Sequence, residues 1–356
     1  MNISKTKNTF LAASVILMAM ATSCEKFINT DTPPTALGKV EAFADSSTAT
    51  SSVLGIYSGL ASGSSSAVFN FIIYGAMSSD EGFFNNNTTF DAFENNTLAA
   101  GNTMTLLWGD TYGRIGRCNF AIESLNSATT LSGSVKNQLI GEAKFLRAFM
   151  YFYLDYYFGN VPLVTSTDLI KNGQLPRAPI AEVYTQIVKD LTEAKDLLNT
   201  AYPSGERARI NKHVVSAFLS RVYFYQHNWD AVESEATTVI NSNNYSIVQN
   251  LNNVFKSNSN ETIWQISLVE NGATPASVIG AEFIPAGTTP TFVFRDTLIR
   301  SFQANDKRKT DWTKSLMSAG TTYYYPTKYK VRAATGTASG DEYPVMIRLA
   351  EVYLNR

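Results

Sequence analysis

Between residues 137 and 164 the apolar positions fall on two helical faces. Leu139, Ala143, Leu146, Met150, Tyr153 and Tyr157 follow alternating steps of four and three, and Phe145, Phe149, Phe152 and Tyr156 form a second stripe beside them. A helix that is apolar on two sides has to be covered on two sides, so this segment is predicted to lie in the middle of a helix stack. Gly159 and Asn160 stop it, and Pro162 prevents it from resuming. The burial habits of Phe and Tyr assign these rings to core packing.

The same periodicity predicts helices over residues 45–60, 103–127 and 182–198. Another, capped by Asn211, runs through Ala217, Phe218, Arg221 and Tyr225. It breaks at His227-Asn228 and restarts at Trp229 toward Ile240. Successive pairs (103–158, 136–198, 211–241) are comparable to the roughly 34-residue unit of a tetratricopeptide repeat. The Trp229, Val232, Ala236 spacing is similar to that repeat's packing positions. Residues 69–76 form a buried segment of undecided type. Residues 261–268 alternate like a strand, 272–290 and 336–342 are small-residue loops, and Pro344 is expected to open a helix over 345–356. The expected fold is mainly α: a tetratricopeptide-like scaffold of helical pairs with irregular loops and a short β-containing insert. The divisions are 1–23, a signal peptide; 24–44, a tether; 45–244, the scaffold with a loop at 78–101; 245–343, the insert; and 344–356, the start of a C-terminal helix.

The 78–101 loop combines Asn85, Asn86, Asn87, Asn95 and Asn96 with Phe83, Phe84, Phe90 and Phe93. Aromatics in a polar loop either anchor it to the body or offer platforms to a ligand. A sugar stacks its C–H face on a ring while amides bond its hydroxyls.

Charge adds mostly exclusions. The 356 residues carry 29 Lys and Arg against 30 Asp and Glu, which leaves no basic footprint for nucleic acid. At the N-terminus, Lys5 and Lys7 precede a short apolar run, and Ala21-Thr22-Ser23 leads to Cys24, a signal-peptide pattern. Small residues directly before a cysteine resemble a bacterial lipobox, which would make Cys24 a lipidated mature N-terminus; simple secretion is the alternative. Cys118 falls in a helical pattern as a small buried hydrophobe. With Cys24 and Cys118 alone, disulfides do not hold the fold together. His213 and His227 lack partners at metal-ligand spacing, so no metal site or cofactor is expected. Gly113-x-x-Gly116 sits inside a helix, and no nucleophile elbow or phosphate loop occurs. Asp80-Glu81 and Asp341-Glu342 are taken as solvated loop acids.

In chain order, Cys24-Glu-Lys-Phe27-Ile28, Leu54-Gly-Ile-Tyr57, Glu142-Ala-Lys-Phe-Leu-Arg147-Ala, Gly159-Asn-Val-Pro162-Leu163, Arg177-Ala-Pro-Ile-Ala-Glu182-Val-Tyr184 and Arg348-Leu-Ala-Glu351-Val-Tyr353-Leu354 together resemble the SusD/RagB family of Bacteroidetes outer-membrane lipoproteins. The resemblance implies a non-catalytic, lipid-anchored protein at the cell surface. It would lid a SusC-like TonB-dependent transporter and hand over a nutrient, most often a glycan oligosaccharide. A peptide ligand, as in RagB-like members, or a ligand-free scaffold for a partner protein are the alternatives. Members usually continue beyond the last of these motifs, so the chain is expected to be C-terminally truncated. By analogy with the family's sugar-contacting loops, Phe83, Phe84, Asn86 and Phe90 in the first loop, and Trp312, Tyr323 and Tyr324 in the insert, are the candidate ligand contacts.

Overall fold

The computed structural model describes residues 39–60, 66–85, 87–99, 104–267, 278–332 and 341–356; Cys24 and Asn86 lie outside them. The main helices are α1 (Ser46–Leu60), α2 (Ala67–Ser78), α3 (Met104–Ser127), α4 (Gly133–Phe158), α5 (Ile180–Leu197), α6 (Lys212–Tyr225), α7 (Trp229–Asn241) and α8 (Leu349–Asn355). The strands are β1 (Gly82–Phe84), β2 (Val161–Pro162), β3 (Arg177–Ala178), β4 (Thr262–Gln265), β5 (Phe292–Phe294), β6 (Thr313–Ser318), β7 (Thr321–Pro326) and β8 (Val345–Arg348). They pair only as antiparallel twos, β1 with β5, β2 with β3, β4 with β8 and β6 with β7. Helices α3 to α7 stack in sequence order, each against the next, as a tetratricopeptide-like scaffold. No helix among the described residues is long and apolar enough to cross a membrane.

Helix α4 is covered on both sides, as its two stripes require. Its N-cap, Ser132, accepts from the Val135 amide at 3.5 Å, and Gly159 ends it with φ +63°, a conformation costly for any residue with a Cβ. It packs between α3 and α5, burying an unbroken run from Leu139 to Ala143 and again from Phe145 to Phe152. Phe145 and Phe149 meet Phe218 of α6 at 5.4 and 5.5 Å, and Trp264 of β4 edge-on at 5.2 and 5.1 Å. Each such ring taken from water contributes about 1.5–3 kcal/mol before the entropy of ordering it. The stripe gives out at Tyr156, which is 58% exposed at the end of the rod, edge-on to Tyr157 and to the exposed Tyr225.

Two arginine–carboxylate pairs lie inside this stack. Arg147 Nε and Nη2 donate to Asp190 of α5 at 2.8 and 2.6 Å, and Nη1 donates to the Asn119 amide oxygen of α3 at 2.8 Å. Glu142 accepts from Arg209 at 2.6 Å and from Gln138 at 2.7 Å. Burial pushes the Glu142 carboxyl above its usual range, partly opposed by the Arg209 charge. The motif residue Arg147 therefore ties α4 to α3 and α5, and Glu142 ties α4 to the segment that leads into α6.

One undecided segment is settled and several expectations are corrected. Residues 69–76 belong to helix α2, capped by Ser66. The 78–101 stretch holds strand β1 and two short helical turns. Residues 345–348 form strand β8 rather than a helix: the segment, with β-branched Val345 and Ile347, pairs with the fully buried β4, and the helix begins at Leu349. β4 is buried on both faces and so does not alternate. Trp229 is 54% exposed, edge-on to Phe224 and His227, while Val232 and Ala236 are buried as their spacing predicts. Glu342 is no solvated acid: it is 2% exposed and accepts from the Lys330 and Val331 amides.

Candidate ligand-binding site

The end of α2 aims the first wall of the site. After Ser78 the chain turns through Asp80 at φ 60°, a left-handed position that Asp tolerates, with the Glu81 amide donating to Ala76 O at 2.9 Å. Strand β1 follows, and its alternation sends Phe84 inward and Phe83 outward. Phe84 stacks on Phe90 at 4.5 Å and meets Phe292 edge-on at 5.5 Å; Phe93 stacks on Tyr74 at 4.0 Å. These three rings anchor the loop. β1 pairs with β5 in the register Gly82↔Phe294 and Phe83↔Val293. A Cβ on Gly82 would lie 2.6 Å from Val293 O, so this close pairing needs glycine.

The second wall is the β6–β7 hairpin. Its turn residues Ala319 and Gly320 both have positive φ, 49° and 81°, the form that matches strand twist. Tyr323 lies opposite Leu316 and Tyr324 opposite Ser315. β7 runs against β5, which places both tyrosines beside Phe83. The walls enclose a groove of about 410 Å³ lined by Phe83, Val293, Phe294, Arg295, Asp296, Thr297, Thr321, Thr322, Tyr323 and Tyr324. That volume falls in the ~300–1,000 Å³ range of small-ligand sites.

Arg295 is the most constrained charge here. Its amide donates to Glu81 O at 3.0 Å, its Nη2 donates to Glu94 at 3.0 Å, and its Nε lies 3.5 Å from Asp80. The guanidinium sits 5.6 Å from the Phe83 ring centre. The groove thus combines ring surfaces, threonine and tyrosine hydroxyls, and a fixed cation, a set that can stack a polar ring and hydrogen-bond its substituents. Among the described residues no group of three or more His, Cys, Asp or Glu is placed to hold a metal ion.

Of the sequence-derived candidates, Phe83, Tyr323 and Tyr324 come together in this groove. Phe84 and Phe90 do not line it; they are committed to loop packing. Trp312 is a correction. It is 6% exposed in a separate small core, donates from Nε1 to Leu251 O at 3.0 Å and meets Phe255 edge-on at 5.4 Å. Arg295, Asp296 and the strand carrying Phe294 were missed. The only local signal for them is the apolar triplet Phe292-Val293-Phe294 between Pro290 and a charged pair.

A family model described as "Starch-binding associating with outer membrane", SusD-like, matches residues 33–224, more than half of the chain. The chain belongs to the SusD-like family. SusD-like protein P25 of Formosa agariphila is 25% identical over 293 residues, covering 75% of this chain and 54% of its own length. SusD-like protein P38 of the same organism is 30% identical over 164 residues, covering 46% of this chain and 31% of P38. This SusD-like chain therefore spans about half the length of P25. Among solved structures, a SusD superfamily protein from Bacteroides thetaiotaomicron superposes with a TM-score of 0.74 at 22% identity, over 87% of this chain and 75% of that one. A laminarin-binding SusD-like protein gives 0.74 at 20% identity, over 87% and 79%. At these identities the likeness establishes the shared fold.

Proposed function

We propose that this SusD-like chain is a non-catalytic outer-membrane lipoprotein, anchored through Cys24, that captures an oligosaccharide in the β1–β5–β7 groove. It then passes the oligosaccharide to a SusC-like TonB-dependent transporter. The observation that carries the reading is the convergence of Phe83, Tyr323 and Tyr324 on one groove from segments far apart in sequence. Capture by stacking needs ring faces and hydroxyl partners, and it requires no acid, base or nucleophile. The family description, which names starch and the outer membrane, and the laminarin-binding neighbour both support a glycan as the ligand.

The test is retention on affinity gels carrying neutral glycans, with peptide gels alongside. Wild type is expected to be retarded by at least one glycan. Phe83→Ala and Tyr323→Ala should each weaken retention about tenfold, the equivalent of ~1.4 kcal/mol. Unchanged retention in both variants would remove the groove from the account, and retention by peptides alone would replace the ligand class. Co-purification with a large outer-membrane barrel, lost when Cys24→Ala releases the chain from the membrane, tests the anchor and the transporter partnership.

A further inference from the structure

A guanidinium lining a groove ordinarily invites a carboxylate or sulfate. Arg295 is arranged against that use. Glu94 accepts from Nη2 at 3.0 Å, Asp80 stands 3.5 Å from Nε as an ion-pair neighbour without a hydrogen bond, and the guanidinium carbon lies over the Phe83 ring, 5.6 Å from its centre. Two carboxylates therefore face one cation. Asp296 is the carboxylate that lines the groove itself, and its own partner, Arg300, stands 3.3 Å away. Among the groove lining and its direct ion-pair partners, Arg295 and Arg300 face Asp80, Glu94 and Asp296, two cations against three anions.

We infer that the groove selects uncharged oligosaccharides over acidic ones, and that Asp80 and Glu94 set this preference by occupying Arg295. The inference rests on the groove being the oligosaccharide site. An acidic sugar approaching Arg295 has to displace Glu94 or Asp80 and leave a carboxylate without its cation. It also brings like charge toward Asp296. The Arg295–Glu94 pair is only 30% and 21% exposed at its side chains, so salt screens it less than a surface pair, whereas Asp296 is 68% exposed and its repulsion of an acidic sugar is open to screening. A neutral sugar meets none of these costs: it stacks on the rings and bonds to hydroxyls and to the Asp296 carboxylate. Asp80 and Glu94 are thus specificity residues that act through Arg295 and need not touch the sugar.

The experiment compares the full chain in detergent against two probe sets of equal length by calorimetry. One is neutral, gluco-, manno- and xylo-oligosaccharides; the other is acidic, oligogalacturonates and oligoguluronates. Wild type is expected to bind at least one neutral probe, with an affinity that does not change between low salt and about 0.5 M NaCl, and to bind every acidic probe about tenfold more weakly or worse. Asp80→Asn/Glu94→Gln, which removes both charges while keeping side-chain volume and an oxygen acceptor for the Nη2 hydrogen bond, should raise acidic-probe affinity severalfold and make it salt-sensitive. Acidic probes binding wild type as tightly as neutral ones, or a neutral-to-acidic ratio unchanged in the double variant, overturns the inference while leaving the glycan site standing. Failure of both probe sets to bind removes the groove's function and this inference with it.

Discussion

Replacing Asp190 with Leu would strand Arg147 inside the helix stack. The pair is bidentate, at 2.8 and 2.6 Å, and its side chains are 6% and 0% exposed. Burial works against the Arg147 charge, and the hydrogen bonds and charge of Asp190 outweigh it, so the guanidinium pKa is raised. Without Asp190 only the Asn119 oxygen at 2.8 Å remains, and a neutral oxygen does not balance a buried cation. Breaking one side of such a pair costs about 3–5 kcal/mol, against a total stability of order 5–15 kcal/mol. Arg147→Met with Asp190→Leu removes both charges and should recover most of the loss, because well-packed apolar replacements are often neutral. Urea unfolding followed by tryptophan fluorescence measures all three forms. A single Asp190→Leu variant within about 1 kcal/mol of wild type would refute the view that this pair locks α3, α4 and α5 together.

Burial pushes the Asp155 carboxyl up to about 6, and its Oδ1 has no hydrogen-bond partner. Its folded pKa lies above the unfolded value of ~3.9, so the native state holds the proton more tightly; the stability present below about pH 4 is lost as pH rises through about 6, by at most ~3 kcal/mol. The urea midpoint of wild type relative to Asp155→Asn should therefore fall across that window, and a constant difference would contradict it. Trp312→Ala should cost about 3–5 kcal/mol of stability through cavity formation while leaving glycan affinity unchanged under conditions where the variant is folded; lost affinity with unchanged stability would reverse the roles assigned here. Gly82→Ala places a Cβ 2.6 Å from Val293 O, so it should part β1 from β5 and abolish ligand retention while far-ultraviolet dichroism stays that of wild type; normal retention would show that the strand pairing does not shape the site.

The helical scaffold was legible because its signals are local. The two stripes of α4 repeat within a few turns, and a double-sided aromatic helix has few places to go except the middle of a stack. Asn211 announced its cap in the same way. The 345–348 segment misled because Pro344 suits a helix start as well as a strand end, and only the distant β4 decides between them. The site was half legible. Phe83, Tyr323 and Tyr324 stood out as rings among polar residues, but so did Phe84 and Trp312, and composition cannot distinguish a ring facing outward from one turned inward. Strand alternation decides it for Phe83 against Phe84, and that strand exists only because β5 pairs with it from the far end of the chain. Arg295 was invisible for the same reason: its partners Asp80 and Glu94 become neighbours only on folding. The β6–β7 hairpin was missed because its turn begins with Ala319, where Asn, Asp or Gly usually signals this conformation.

Hydrogen–deuterium exchange with and without a saturating neutral oligosaccharide tests the groove most directly. Amides of residues 82–85, 292–297 and 321–324 should be protected together on binding, because these three segments line one groove. Protection confined to the helical faces of α5 to α7, with these three segments unchanged, would show that the ligand is held elsewhere and would contradict the account.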